Sequence, residues 1–415
     1  MSKIKPFCAL RPSPEQANAV ASPPYDVLDS KEARVMAQGN PLSFLHVSKP
    51  EIDLDSSVDL YADTVYAKAA ENMRRMVQDR VYARDEAPCL YLYQQEMKIG
   101  EKLHVQVGLV AGACSEEYEK DLIKKHELTR ADKEKDRTRH LEALNANAGP
   151  VFLTYRASES IDAMIDAERK RERLYDFVSP DGIRHVVWII READRIRAFV
   201  DAFAKIPCLY IADGHHRCAS GVAIGAKRRA QNPCHTGCEE YAHFLAVMFP
   251  HDQLYIMDYN RVVLDLNGLD EPAFLAKVRE RFDVAETKEK RPSKATEFGM
   301  FLGGRWYRLA AKPGTFDAKN PVESLDVSIL QKNLLAPILG IGDPRRDKRI
   351  DFVGGIRGPE ELERRVREGA AVAFSMFATS MEQLMAIADA GQIMPPKSTW
   401  FEPKLRSGLL VRPLD

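Results

Sequence analysis

Residues 212–217 read Ala-Asp-Gly-His-His-Arg, which sets a carboxylate, a glycine, two imidazoles and a guanidinium side by side. The apolar run Cys208-Leu209-Tyr210-Ile211 comes before them, and residues 218–231, rich in Ala, Arg and Lys, come after. The first run reads as a buried strand and the second as a helix. A helix start presents main-chain N–H groups without intrahelical partners at the electropositive end of the aligned peptide dipoles, so an anion is stabilised there. Gly214 lets the backbone approach a ligand closely, and Arg217 offers a planar fork to two phosphate oxygens. The set suits a nucleotide phosphate better than a metal, because His215 and His216 are adjacent and neighbours on a helix point in different directions. The plainer alternative is a polar strand-to-helix turn with Asp213 as the helix cap.

Phosphoryl transfer also needs charge neutralisation, usually with Mg²⁺, and a group that orients and deprotonates the acceptor. In Lys125-His126-Glu127-Leu128-Thr129, Glu127 beside His126 is a candidate general base or metal ligand. In the charged segment that follows, Asp132, Asp136 and His140 fall four apart, as do Lys133 and Arg137. These stripes form either a solvated ion-pair ladder or, turned toward the central motif, a face on which Arg137 and His140 bind phosphate or substrate. Ser22-Pro23-Pro24-Tyr25-Asp26 holds a phenol and a carboxylate on a backbone stiffened by proline, a rigid binding loop or ordinary chain-entry packing. Near the C-terminus, residues 395–404 interleave Lys397, Ser398, Thr399 and Lys404 with Trp400 and Phe401 between prolines, a segment suited to an anion or a base ring. Residues 343–349 form a basic loop. Cys234, His235 and Cys238 make half a zinc site without a second pair at finger spacing, so a surface loop of free thiols is expected.

These residues need elements to position them. The spacing predicts a helix from about 31, capped by Ser30, and another over 58–80 with apolar positions at three- and four-residue intervals. Residues 88–96 and 104–113 read as a hairpin joined through Gly100, 129–147 as a helix, 151–155 as a strand, 158–175 as a helix, 184–190 as a strand and 192–205 as a helix. Residues 241–249 and 253–264 are apolar enough for strands or buried helix turns. Beyond 269 the pattern predicts a helix to about 282, a strand pair around Gly303-Gly304, and helices over 326–339 and 359–369. The expected class is mixed α/β, with one lobe over 1–265 carrying the central turn and a second over 266–415 carrying the segment Pro395–Phe401.

At 415 residues with 45% hydrophobic content, the chain is long enough for two or three packed units. Sixty Lys and Arg against 61 Asp and Glu leave a net charge of -1, so no long-range field favours nucleic acid or an anionic membrane. No apolar run approaches the roughly 20 residues needed to cross a bilayer. Seven scattered cysteines and no apolar leader lead us to expect a cytoplasmic protein.

Four motifs in order, Ser-Pro-Pro-Tyr-Asp-Val at 22–27, His-Glu-Leu-Thr at 126–129, Ala-Asp-Gly-His-His-Arg at 212–217 and Met-Pro-Pro-Lys-Ser-Thr-Trp-Phe at 394–401, resemble a bacterial, archaeal and protist family known as domain of unknown function one-zero-one-five. The Asp-Gly-His-His-Arg turn is also similar to the signature of the ParB and sulfiredoxin-like superfamily, which includes kinases of free L-serine. That resemblance implies a ParB/sulfiredoxin-like nucleotide-binding core and an ATP- or ADP-dependent serine kinase. In it Gly214, His215, His216 and Arg217 hold the nucleotide phosphates and Asp213 stands beside the transferred group or its Mg²⁺; beside the resemblance, the chemistry of the C-terminal segment adds Lys397, Ser398 and Thr399 as candidate phosphate contacts. An acidic residue activates the serine hydroxyl, with Glu127 and Asp26 as candidates; Tyr25, His126, Thr129, Arg137, His140 and Arg261 are the candidate substrate contacts. After Met257, where relatives often show Pro-Thr-His-Arg, this chain has Asp258-Tyr259-Asn260-Arg261, so of that group only Arg261 is retained. The alternatives are a nucleotide-binding regulatory or partition module of the ParB kind and a metal-dependent hydrolase built on Asp213, His215 and His216. The common kinase folds are excluded by the lack of a Walker loop and of a kinase catalytic loop.

Overall fold

In the computed structural model, which describes residues 2–415, the chain divides into two compact units: Met1–Leu254 joined by Pro403–Asp415, and Tyr255–Glu402. The division falls before residue 265 because Tyr259–Val263 is an inner strand of the second unit's sheet. The C-terminal segment belongs to the first unit. There Arg412–Pro413 pairs antiparallel with Ala146–Asn147, and Ser407 and Val411 bridge to Ser22 and Leu10.

The first unit is built on a nine-stranded mixed sheet. Its strands are β1 (Ile4–Lys5), β2 (Leu90–Ile99), β3 (Lys102–Cys114), β4 (Ile123–Lys124), β5 (Val151–Tyr155), β6 (Tyr175–Val178), β7 (Arg184–Ile190), β8 (Leu209–Asp213) and β9 (His243–Pro250). The order is β4-β8-β5-β9-β3-β2-β7-β6, with β1 on β3. The pairs β8/β4 and β9/β5 are parallel and the rest antiparallel. The β2–β3 hairpin forms over the two runs read as strands, each extended by a few residues toward the turn, where Gly100 takes a φ of 60°. β5 and β9 are buried on both faces, as their unbroken apolar runs require.

The helices are α1 (Ser30–Ala37), α2 (Asp63–Gln78), α3 (Ala131–Leu144), α4 (Glu159–Glu168), α5 (Ala193–Phe203) and α6 (His215–Gln231). Ile161 and Ile165 of α4, Phe199 and Phe203 of α5, and Cys218 and Val222 of α6 share one apolar core with Leu92, Leu109, Leu153 and Ile211 of the sheet. Two local expectations change. Asp29, not Ser30, caps α1: it accepts from the N–H groups of Lys31 and Glu32 at 2.7 and 2.8 Å, while Glu32 accepts from Asp29 N–H at 2.9 Å. The helix predicted over 158–175 stops at Glu168, whose buried carboxylate Arg195 engages at 2.6 Å, and Tyr175 starts the edge strand β6 with its hydroxyl donating to Pro12 O at 2.7 Å.

The second unit carries β10 (Tyr255–Met257), β11 (Tyr259–Val263), β12 (Phe282–Thr287), β13 (Glu297–Leu302), β14 (Arg305–Ala311), β15 (Ile350–Gly354), β16 (Val372–Ser375) and β17 (Trp400–Glu402). Six form an antiparallel sheet, β12-β14-β13-β16-β11-β15, and β10 pairs with β17. Gly303 and Gly304, at φ 57° and 79°, make the two-residue β13–β14 turn that the right-handed twist of paired strands favours. Helices α7 (Glu271–Arg281), α8 (Asp326–Leu330), α9 (Gly358–Arg367) and α10 (Met381–Asp389) complete it. The helix predicted over 326–339 breaks after Leu330 into a π turn, Gln331–Leu335. Among the described residues, no helix is long and apolar enough to cross a membrane.

Candidate functional site

The β8–α6 junction is shaped by two backbone irregularities. Pairing of β8 with β5 shifts register between Ile211 and Asp213, which re-aims Asp213 at the strand's end. Gly214 then takes φ 88° and ψ 34° as the N-cap of α6, with no side chain capping the helix. A Cβ there would stand 2.9 Å from both Cζ and Nε of Arg217, so the position requires glycine for its torsion and for its neighbour. Asp213 is therefore not the cap that the plainer reading supposes. Its Oδ1 accepts from Gly214 N–H at 2.9 Å, its Oδ2 accepts from Lys404 Nζ at 3.2 Å, and Arg217 Nη2 lies 3.7 Å from Oδ2.

Two cations thus face one carboxylate. Burial alone raises the Asp213 carboxyl, but Lys404, Arg217 and the Gly214 N–H outweigh it and hold the group well below the usual carboxylate range. The Arg217 guanidinium, 9% exposed, donates through Nη1 to Pro150 O, and its Nε is buried without a partner. An uncapped helix start, a surplus positive charge and an orphaned guanidinium N–H converge on one spot. That is an environment for an anion with more than one acceptor oxygen.

Arg217 also lines a cavity with some 540 Å³ of empty space, mouth included, shared with Tyr25, Arg137, His140, Asn147, Ser220 and Ser407. The structure therefore gathers three of the expected substrate residues, Tyr25, Arg137 and His140, around the arginine of the central turn. The α3 face that bears Arg137 and His140 is no solvated ladder. Asp136 and His140 are buried, Arg137 pairs with Asp136 at 2.8 Å, and the Arg137 guanidinium stacks 4.0 Å from the Tyr25 ring centroid. Asp136 is fixed from the other side by Tyr66 Oη at 2.8 Å, and His140 Nε2 bonds Val47 O at 2.8 Å. Burial, then Arg137, lowers His140 to about 4, so it is neutral and donates to that carbonyl. Asp26, the neighbour of Tyr25, is exposed.

His126, Glu127 and His215 form a second group, with one ligand atom from each lying within 4.8 Å of the others. The two imidazoles meet edge-on, centroids 4.5 Å apart and planes at 89°. His126 is 2% exposed and His215 7%. Burial lowers His126 to about 4 against the opposing pull of Asp213 and the Ile211 carbonyl, and lowers His215 well below its usual value, so both are neutral. This is not the Asp213, His215 and His216 set expected for a hydrolase. His216 faces away, its Nε2 accepting from Arg130 N–H at 3.1 Å.

Other expected site residues have local structural partners. Thr129 Oγ1 donates to Glu134 at 2.9 Å, across the start of α3. Lys397, Ser398, Thr399 and Arg261 belong to the second unit. There Ser398 Oγ closes a turn onto Pro395 O at 2.6 Å, and Arg261 Nη2 donates to Lys397 O at 2.9 Å. Burial lowers Arg261 to about 10, which leaves it charged. The lysine that reaches the central carboxylate is Lys404, the last residue of the proline-rich segment in which the sequence pointed to Lys397. Cys234 and Cys238 are free and exposed, and His235 pairs with Glu239 at 3.0 Å.

The family model described as protein of unknown function (DUF1015) matches residues 4–328. The chain belongs to that family. No curated protein matches the DUF1015 chain in sequence. Among solved structures, it is similar to SbnI with C-terminal truncation from Staphylococcus aureus, at 13% identity and a TM-score of 0.39, over 73% of this chain and 87% of that one. It is also similar to a free serine kinase mutant in complex with AMP, at 13% identity and 0.36, over 75% and 95%. A conserved hypothetical protein from Pyrococcus furiosus stands at 12% identity and 0.35, over 70% and 92%.

Proposed function

We propose that this DUF1015 protein transfers a phosphoryl group from ATP or ADP to the hydroxyl of a small amino acid, most simply free L-serine, on a ParB/sulfiredoxin-like core. The observation that carries the reading is the orphaned Nε of Arg217 at an uncapped helix start beside a cavity. Main-chain N–H groups at the start of α6, with Arg217 and Lys404, take the phosphates.

The acceptor lies in the cavity. Arg137, braced by Asp136 and stacked on Tyr25, pairs with the amino acid's carboxylate. Between the two candidate bases, the environments favour Asp26, whose solvated carboxylate adjoins Tyr25, whereas Glu127 converges with two imidazoles. Asp26 accepts the hydroxyl proton as the serine oxygen bonds to the terminal phosphorus, and the bond from that phosphorus to the bridging oxygen breaks to release ADP, or AMP from ADP. Asp213 keeps 28% exposure, and a single carboxylate with phosphate oxygens and water is the donor set Mg²⁺ takes, so Asp213 would hold that ion. Mg²⁺ there supplies charge neutralisation on the transferred group. The work left to the protein is alignment and electrostatic stabilisation.

The test is incubation of purified protein with Mg²⁺, ATP or ADP and a panel of free amino acids, read by mass spectrometry. O-phosphoserine with loss of one phosphate from the donor is the expected result. No phosphorylated amino acid from any acceptor with either donor refutes the proposal.

A further inference from the structure

We propose that His126, Glu127 and His215 form a binding site for a transition-metal divalent cation of the Zn²⁺ class, separate from any Mg²⁺ carried with a nucleotide. The ligands come from two segments, the loop after β4 and the first turn of α6. Neither ring nitrogen of His126 nor Nε2 of His215, all buried, makes a well-formed hydrogen bond; the Ile211 carbonyl acts on His126 from nearby. Leaving such atoms unpaired is costly, and so close a pair of desolvated imidazoles gains little from packing alone. A metal ion satisfies both rings at once.

The donor chemistry selects the metal. Two imidazole nitrogens and one carboxylate suit Zn²⁺, Mn²⁺ or Fe²⁺ and disfavour Mg²⁺ and Ca²⁺, which prefer oxygen-only shells. With bonds of roughly 2.0–2.2 Å, tetrahedral ligand atoms stand about 3.4 Å apart. The present atoms lie within 4.8 Å of one another, and a bound ion would draw them closer; Glu127 is only half-buried. Three protein ligands leave at least one position open for water or a substrate oxygen. The ion would also tie the 126–127 loop to the start of α6, next to the Asp213–Gly214 turn. None of this depends on nucleotide binding.

The experiment uses the full chain with the exposed Cys234 and Cys238 both changed to Ser, so that surface thiols do not compete. Zn²⁺, Co²⁺ and Mg²⁺ are titrated separately without nucleotide, and the Co²⁺ form is examined by visible absorption and by X-ray absorption at the cobalt edge. One tightly bound Zn²⁺ or Co²⁺ per chain, no comparable Mg²⁺ binding and two imidazole ligands in the X-ray spectrum are expected. His126→Ala, His215→Ala and Glu127→Gln should each weaken Zn²⁺ binding by more than about tenfold. A cobalt spectrum of the Cys234→Ser, Cys238→Ser chain without imidazole ligands overturns the proposal even if every further variant fails to fold. Unchanged Zn²⁺ affinity in a folded His126→Ala, His215→Ala double variant overturns it as well.

Discussion

Replacing Gly214 by Ala separates backbone strain from ligand chemistry. An alanine at φ 88° pays about 1–2 kcal/mol for its left-handed torsion. Its Cβ would also meet Arg217 Cζ and Nε at 2.9 Å, and because those atoms end a flexible side chain, the guanidinium shifts instead of the backbone. The shift breaks the donation to Pro150 O, a charged hydrogen bond of about 1.5–3 kcal/mol. The stability loss should therefore be about 2.5–5 kcal/mol, read by urea denaturation. The displaced guanidinium should weaken ADP binding by a further 1.5–3 kcal/mol, roughly ten- to 150-fold in Kd by calorimetry. Gly100→Ala is the control: its φ is 60° and nothing lies within 4 Å of the new Cβ, so it should lose about 1–2 kcal/mol of stability and no ADP affinity. If Gly214→Ala binds ADP like the wild type while showing the stability loss, the guanidinium does not contact phosphate and the reasoning fails.

Lys404→Met should weaken ADP about ten- to 100-fold and raise the Asp213 carboxyl toward the ordinary range, checked by calorimetry over a pH series; unchanged affinity would remove Lys404 from the phosphate site. Asp26→Asn should lower kcat by roughly 10²–10⁴-fold with little change in serine KM in coupled-assay kinetics, whereas an equal loss in Glu127→Gln alone would reverse the choice of base. In the second unit, burial raises the Asp326 carboxyl to about 7 although its Oδ1 accepts from Thr296 N–H at 2.9 Å. The native state then binds the proton more tightly than the unfolded chain, so stability falls as pH rises from about 4 to 7, by about 4 kcal/mol when ionisation is complete. Asp326→Asn should flatten that slope and be the more stable protein at pH 8 in urea denaturation; a wild-type slope of opposite sign would contradict the assignment.

The first unit's hairpin and its strand-to-helix junction were legible because each rests on local signals: two strand-like runs at 88–96 and 104–113 joined through Gly100, and an apolar run ending in Asp-Gly ahead of a helix former. What was not legible depends on distant partners. The run Ile350–Gly354 is only five residues long beside a basic loop and drew no strand prediction, although it pairs with β11 as β15. The polar face of α3 carries the same charges as a solvated helix, and only Tyr66, Val47 and the cavity distinguish it. Of two lysines in one proline-rich segment, the sequence favoured Lys397, flanked by hydroxyls. Lys404 reaches Asp213 because the C-terminal segment returns to the first unit, which no short-range pattern announces. The convergence of His126 with His215 likewise follows from the parallel pairing of β4 with β8.

The central claim is that the β8–α6 turn grasps phosphate through main-chain N–H groups, Arg217 and Lys404. A crystal structure with ADP tests it most directly. The account predicts phosphate oxygens within hydrogen-bonding distance of the Arg217 guanidinium and of N–H groups in the first turn of α6. ADP bound elsewhere, with Arg217 still holding only Pro150 O, would contradict it.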